Sequence, residues 1–337
     1  MDDVAPSPRM PEMVGGRMPV IDVSAVLRGE PGALEATAAE LRYANEEVGF
    51  YFLAGHGISN DLIEATYEAA ASFHAQPMEA KLALKANAET VGYMPIKGSI
   101  TKTSKVNVNT KPNLNEAFFL KRESEEAALQ RGRPPGHRNQ WPQDLPQFRV
   151  ATLRYMQAME DMGRRLVPIY ARALGLPATF FDEAFKTPEM TLRLSHYPHT
   201  EVLEDNEFGV APHTDGNFIT FLPANPVNGL SVRMKDGTWF DVPYMPDVFV
   251  VNTGDTLARW SNDVFVSTPH RVINRSGGKR YAIPFFLNAN SDTMVACLDT
   301  CQSESRPPKY EAMTVAQYSD WFQRTNYLHL QQKDQAA

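Results

Sequence analysis

Cysteine is scarce in this chain: Cys297 and Cys301 are the only two among 337 residues. Their spacing is not C-x-x-C, so neither a disulfide framework nor a cysteine zinc or dithiol redox site is expected. Reduced thiols in a cytoplasm are the simplest expectation. Long hydrophobic runs are missing as well, and no window approaches the ~18 uninterrupted apolar residues of a membrane-spanning helix. Basic charge is in the minority, with 33 Lys and Arg against 40 Asp and Glu and a net charge of −7. No basic stripe is long enough to track a phosphate backbone. Membrane and nucleic acid are therefore not expected partners. The Gly-rich phosphate loops, the G-x-S-x-G nucleophile elbow and the H-E-x-x-H zinc helix are also absent.

What is present suits a large buried core, with 43% hydrophobic and 22% charged residues. Residues 1–17, rich in Pro, Gly and acidic side chains, read as a flexible leader. Residues 18–150 read as a mixed α/β region: a strand at 18–26, then a helix with Leu34, Ala38, Leu41, Ala44 and Val48 on one face and Gly49 as its stop. The strand FYFL follows, then a helix capped by Ser59 or Asn60, and a further helical pattern at about 78–86. Between 91 and 147 the periodicity weakens to one strand, 116–121, among polar and Pro-rich loops of the kind that often carry binding residues. Residues 151–187 hold a long core helix, expected to kink at Pro168, and a connection. From 188 to 295 six short strand patterns alternate with turn signals, the rhythm of an all-β sandwich or jelly roll. Residues 296–337 return to helix.

The stretch APHTDGNFITF (211–221) places His213 and Asp215 two positions apart, on one side of an extended backbone. Such a pair can bind a metal if a third ligand exists. Of the eight histidines, His56, His74, His137 and His329 read as ordinary hydrogen-bonded or solvent-facing residues. His196 and His199 are three apart and face opposite ways on a strand, so at most one can join a site, and structural roles are favoured for both. His270, in PHRVIN, begins the last strand pair of the β region and can approach His213 across a jelly roll. Two histidines and a carboxylate make the facial triad of non-haem Fe(II) oxygenases, which leaves coordination positions open for chemistry.

If Arg275, Ser276 and Gly277 form a three-residue hairpin loop, His270 faces Ala282, Val272 faces Arg280, and Arg280 shares a face with His270. Arg280 can then hold a carboxylate whose other end reaches the metal. A two-residue loop would put it on the other face. Pro284 makes the strand an edge or irregular beyond that point, and Tyr197 offers a hydroxyl to the same anion.

With these residues assembled, the chain resembles the isopenicillin N synthase-like group of Fe(II) and 2-oxoglutarate-dependent oxygenases. VIDVSAV through VGFYFLAGHGI resembles the family's N-terminal region, HTD with PHRVIN its H-x-D…H motif, NTGD its turn before the last core strands, and RYAIPFF its Arg-x-Ser segment. The resemblance implies an α+β chain built on a double-stranded β-helix, a jelly-roll, cupin-like core with flanking helices. It implies that His213, Asp215 and His270 bind Fe(II), and that Arg280, assisted by Tyr197, takes the distal carboxylate of 2-oxoglutarate. O₂ is the other co-substrate, the implied reaction is hydroxylation of a small molecule, and succinate and CO₂ are released. The alternative is an oxidase like isopenicillin N synthase itself, which needs no oxo-acid.

The chain departs from the family pattern twice: Ala282 stands for the Ser of Arg-x-Ser, and Ser195 for the Asn often found two positions before the tyrosine. The aromatic residues Tyr93, Phe119, Phe218, Trp260 and Phe286 are the candidate substrate-pocket residues, although an aromatic on a strand is more often core than substrate contact.

Overall fold

The computed structural model of the protein describes residues 5–123, 139–199 and 204–334. Strand β3 (Phe50–Ala54) shows why the chain is layered as it is. Its apolar residues run without alternation because both of its faces are buried. Tyr51 and Leu53 enter a core shared with helices, while Phe50 and Phe52 enter a second core on the opposite face.

β3 lies in a ten-stranded sheet. The order from one edge is β1 (Glu12–Val14), β2 (Met18–Asp22), β3, β11 (Phe249–Thr253), β8 (Ile219–Pro223), β14 (Phe285–Asn288), β6 (Glu189–Tyr197), β5 (Glu116–Lys121) and β4 (Gly92–Met94). Strand β13 (Arg280–Ala282) also pairs with β6. A four-stranded sheet, ordered β10 (Trp239–Asp241), β9 (Leu230–Arg233), β12 (His270–Val272) and β7 (Val210–His213), lies over one face of the large sheet. The core between the two holds Phe50, Tyr197 and Ala282 from one sheet and Val210, Val232 and Val272 from the other.

Helices cover the far face of the large sheet. After the short α1 (Ser24–Leu27), α2 (Ala33–Glu47) and α3 (Asn60–His74) pack along the long α5 (Pro146–Ala173), with α4 (Met78–Ala83) between them in sequence. Ser59 caps α3 by accepting the Leu62 amide. α5 begins at Pro146, whose missing N–H costs nothing in a first turn, and continues past Pro168 to Ala173. Among the described residues no helix is long and apolar enough to cross a membrane.

Two expectations need correction. Residues 12–14 of the expected leader form β1, because Gly15 (φ 58°) and Gly16 (φ 65°) supply the two left-handed positions of a tight turn onto β2. β12 and β13 do not pair: β12 bonds to β7 and β9 in the small sheet, β13 to β6 in the large one. The intervening loop, with Gly277 left-handed at φ 75°, carries the chain from one sheet to the other. The segment from Asp255 to Trp260, unassigned by pattern, is helix α6.

The polar stretch at 101–113 has a structural role. β7 is the edge of the small sheet, and Asn113 accepts the Ala211 amide at 2.9 Å while Asn109 donates to the Pro212 carbonyl at 3.3 Å. Side chains thus satisfy an edge that would otherwise lack partners. That edge carries His213.

Candidate active site

His213 ends β7 and stands directly opposite His270 on β12, with ring centroids 4.2 Å apart. Beyond β7 the chain turns, its path held by the Asp255 amide donating to the Asp215 carbonyl at 2.6 Å. Asp215 Oδ1 comes to rest 3.6 Å from His213 Nε2 and 3.8 Å from His270 Nε2. The expected triad is therefore brought together.

Hydrogen bonds on the outer side decide what the triad can hold. His213 Nδ1 lies 2.8 Å from the Ala211 carbonyl and His270 Nδ1 lies 3.2 Å from the Thr268 carbonyl. A carbonyl only accepts, so each Nδ1 carries the proton and each Nε2 presents a lone pair. Asp215 Oδ2 accepts from Asn252 Nδ2 at 2.8 Å and Thr220 Oγ1 at 2.7 Å, which turns Oδ1 toward the rings. Three acceptors then converge with no donor among them. A cation resolves that arrangement, and the outer bonds are those that orient metal ligands.

The electrostatics agree. Burial, and next the charge of neighbouring His270, push His213 below the usual histidine range, against the pull of Asp215. Burial alone would raise the Asp215 carboxyl, but His270 and His213, with hydrogen bonds from Asn252 and Thr220, outweigh it and hold it low. A neutral imidazole beside an ionised carboxylate is the ligand state a divalent metal requires.

Two cavities meet at the triad. The inner one, about 60 Å³, is lined by His213, Asp215, His270, Tyr197, Arg280 and Ala282. Arg280 is 2% exposed, donates from Nε to the Val227 carbonyl at 3.1 Å and lies 5.1 Å from the Tyr197 ring centroid. Its Nη1 has no partner, and among the described residues no carboxylate lies within 4.0 Å of it. Arg280 reaches this cavity by pairing with Tyr197 on β6, a different route from the hairpin register expected of it.

The outer cavity, about 510 Å³, shares His213, Asp215, Arg193 and Phe286 with the inner one. Of the five aromatic candidates, Phe119 and Phe286 line it. Tyr93, Phe218 and Trp260 do not. Tyr93 is buried against Glu116, and Phe218 and Trp260 pack with Phe181 under the large sheet. Sequence reasoning missed Arg193 and the wall built by α7 (Val315–Asn326) and the residues before α8 (Leu328–Asp334), chiefly Phe322 and Tyr327. Only the helix start at Thr314, a capping box with Gln317, was legible in principle.

A second group, His74, Glu116 and His196, also brings ligand atoms together. Here the charge is already balanced: Lys81 Nζ lies 2.9 Å from Glu116 Oε2, Tyr93 donates to the same oxygen, and His196 Nδ1 is 2.7 Å from Oε1. A dication would meet an ammonium, so we read this group as a structural clamp between β5, β6 and α4. Burial by itself raises the Glu116 carboxyl, but its bonds from His196, His74, Tyr93 and Lys81 outweigh that and hold it far below 4.5. The contribution is therefore complete above pH 4.5 and lost as pH falls below it. Glu116→Gln should cost about 2 kcal/mol at pH 7, and the difference from the parent should shrink below pH 4.5 in denaturant titrations. A constant difference down to pH 3 would remove the clamp reading. The other histidines behave as expected of ordinary residues: His56 bonds the Asp247 carbonyl and His329 the Thr90 hydroxyl. His199 is exposed, and His137 lies outside the described residues.

Comparison with known proteins follows the same line. Residues 188–289 match the model of the 2OG-Fe(II) oxygenase superfamily, and residues 18–144 that of the non-haem dioxygenase in morphine synthesis N-terminal region. The 2-oxoglutarate-Fe(II) type oxidoreductase hxnY of Emericella nidulans is 32% identical over 88% of this chain and 86% of its own. This chain belongs to the 2OG-Fe(II) oxygenase superfamily. It is an Fe(II)- and 2-oxoglutarate-dependent dioxygenase with O₂ as co-substrate, and its two facing sheets are the family's double-stranded β-helix. Homoarginine-6-hydroxylase 2-ODD-C23 of Glycine max is 31% identical over 87% of this chain and 91% of its own. The crystal structure of a full-length Neurospora crassa protein in complex with alpha-KG superposes with a TM-score of 0.80 at 28% identity, over 91% of this chain and 95% of the other.

Proposed function

We propose that His213, Asp215 and His270 hold Fe(II), that Arg280 and Tyr197 hold the distal carboxylate of 2-oxoglutarate in the inner cavity, and that a small-molecule substrate is hydroxylated in the outer one. One observation carries this reading: a buried guanidinium with no carboxylate partner among the described residues faces the triad across a small cavity. An unpaired buried charge is costly, and a bidentate anion is what its planar donors fit. Iron, 2-oxoglutarate and O₂ together supply oxidative decarboxylation to succinate and CO₂, coupled to oxidation of a substrate C–H bond.

The chain's own work is positioning. Carbonyls of Ala211 and Thr268 keep both imidazoles aimed, and Asn252 with Thr220 keeps the carboxylate oxygen aimed. Phe119, Phe286, Phe322 and Tyr327 give the outer cavity apolar patches among its polar lining. Its volume of about 510 Å³ suits a small organic molecule. Arg193, at the junction of the cavities with an unpartnered Nε and its guanidinium on the Phe119 ring, is placed to meet a polar group of that molecule. Hydroxylation is supported by the name of the Glycine max relative. An oxidase needing no oxo-acid is disfavoured, because hxnY and the Neurospora crassa complex both carry 2-oxoglutarate in their descriptions. The free thiols of Cys297 and Cys301 are consistent with a cytoplasmic setting.

The test is anaerobic titration of metal-free protein with Fe(II) and then 2-oxoglutarate. A weak visible charge-transfer band and, once air is admitted, succinate release are expected. Iron uptake without any band would overturn this reading in favour of the oxidase.

A further inference from the structure

The turn that carries Asp215 is gripped from outside by a second turn, the NTGD stretch at the start of α6. Four successive carbonyls, those of Asp215, Gly216, Asn217 and Phe218, all accept from it. Their donors are the Asp255 amide at 2.6 Å, the Thr256 hydroxyl at 2.9 Å, the Thr256 amide at 3.1 Å and the Gly254 amide at 3.0 Å. A side chain at 254 would collide with the Asn217 carbonyl, so glycine is what permits the approach.

The Asp255 side chain extends this grip to the C-terminal helix. Asp255 is 4% exposed, and its Oδ2 accepts from Thr214 Oγ1 at 3.0 Å and from Tyr318 Oη at 2.9 Å. Thr214 stands between the two ligands His213 and Asp215, and Tyr318 belongs to α7. Oδ1 accepts no hydrogen bond, and Lys105 Nζ lies 3.7 Å from it. A buried carboxylate is costly, and the bonds of this one join the metal turn to α7. One helical turn beyond Tyr318, and so on the same face, the Phe322 ring lies against Gly216, where an added Cβ would stand 3.1 Å from it. Phe322 also lines the outer cavity. Asp255 and Tyr318 are not among the residues that line either cavity, so any effect of theirs on the site passes through Thr214 and Asp215. We propose that Asp255 and Tyr318 are positioning residues for the iron site: Asp255 fixes the path of residues 213–215, and Tyr318 ties that path to α7. The helix that walls the outer cavity then also sets how firmly the metal is held. The proposal rests on the assignment of His213, Asp215 and His270 to Fe(II).

The experiment compares the parent with Tyr318→Phe, Asp255→Ala, Asp255→Asn and a matched control, Tyr310→Phe. Tyr310 precedes α7 and also donates to an aspartate, Asp263 at 2.9 Å, outside the metal turn. Each protein is loaded anaerobically with Fe(II), and release of iron to a chromogenic chelator is timed. Melting temperature is measured without metal. Tyr318→Phe should release iron about tenfold faster than the parent, and Asp255→Ala at least as fast as Tyr318→Phe. Asp255→Asn should stay close to the parent, because an amide oxygen can accept from both hydroxyls. Both phenylalanine variants lose one hydrogen bond and should melt lower, but only Tyr318→Phe should release iron faster. Parent-like release in Tyr318→Phe would overturn the proposal, even if Asp255→Ala fails to fold. Equal acceleration in Tyr310→Phe would overturn it too, as would an Asp255→Asn variant that loses iron as fast as Tyr318→Phe. A parent protein that takes up no Fe(II) would instead overturn the triad assignment on which the proposal rests.

Discussion

Asp215→Ala is expected to lower iron-dependent turnover by roughly a thousandfold or more, since a catalytic metal supplies several kcal/mol and each 1.36 kcal/mol is tenfold in rate. Asp215 Oδ1 is the one oxygen that lies near both Nε2 atoms, at 3.6 and 3.8 Å, and the other carboxylate oxygen is committed to Asn252 and Thr220. Alanine removes the only anion of the triad and leaves the buried Asn252 amide without its acceptor, so it also costs stability. Asp215→Asn separates the two effects: it keeps the shape, and an amide oxygen in the Oδ2 position can still accept from both Asn252 and Thr220, with the amide nitrogen toward the rings. Metal content by elemental analysis and turnover by succinate release should fall together in both variants, with the fold retained in Asp215→Asn. Full turnover in Asp215→Asn would show that the carboxylate is not a ligand.

The triad was legible because its signal is local. Two residues apart on extended chain already place His213 and Asp215 together, and the third ligand needed only the strand rhythm of a jelly roll. Long elements with a clean period, such as the helices at 33–47 and 60–74, were legible for the same reason. The position of Arg280 was anticipated by an incorrect route. A hairpin is the default between neighbouring strands, and nothing in RSGG says that the chain leaves one sheet for the other. The large-sheet pairing of β13 is a long-range property, decided by which strand edge is free. Aromatic type was equally silent about burial. Phe119 and Phe286 reach a cavity while Phe218 and Trp260 fill a core, a difference set by which face of a strand or helix meets the helical layer. The cavity wall from Phe322 and Tyr327 comes from the end of the chain, where periodicity identifies helices but not what they pack against.

Arg280→Met should have opposite effects on binding and on stability, and the opposition is the informative part. Met keeps much of the length of the stem, yet removes a charge that lies over the Tyr197 ring, on a residue that is 2% exposed and has no carboxylate partner among the described residues. If that charge waits for the distal carboxylate, deleting it should weaken 2-oxoglutarate about a hundredfold or more, because breaking a buried charge pair costs about 2–5 kcal/mol. In the ligand-free protein the same deletion relieves an uncompensated guanidinium. The apo melting temperature should therefore hold or rise, while the increase that 2-oxoglutarate confers on the parent disappears. Iron affinity should not change, since Arg280 makes no contact with the triad's outer hydrogen bonds. Calorimetry with 2-oxoglutarate on Fe(II)-loaded protein, beside melting curves with and without it, reads all three quantities. A variant that loses stability without ligand and keeps its affinity would make Arg280 a structural residue bound to the Val227 carbonyl. Loss of affinity together with gain of apo stability is the pattern that only a ligand-directed charge produces.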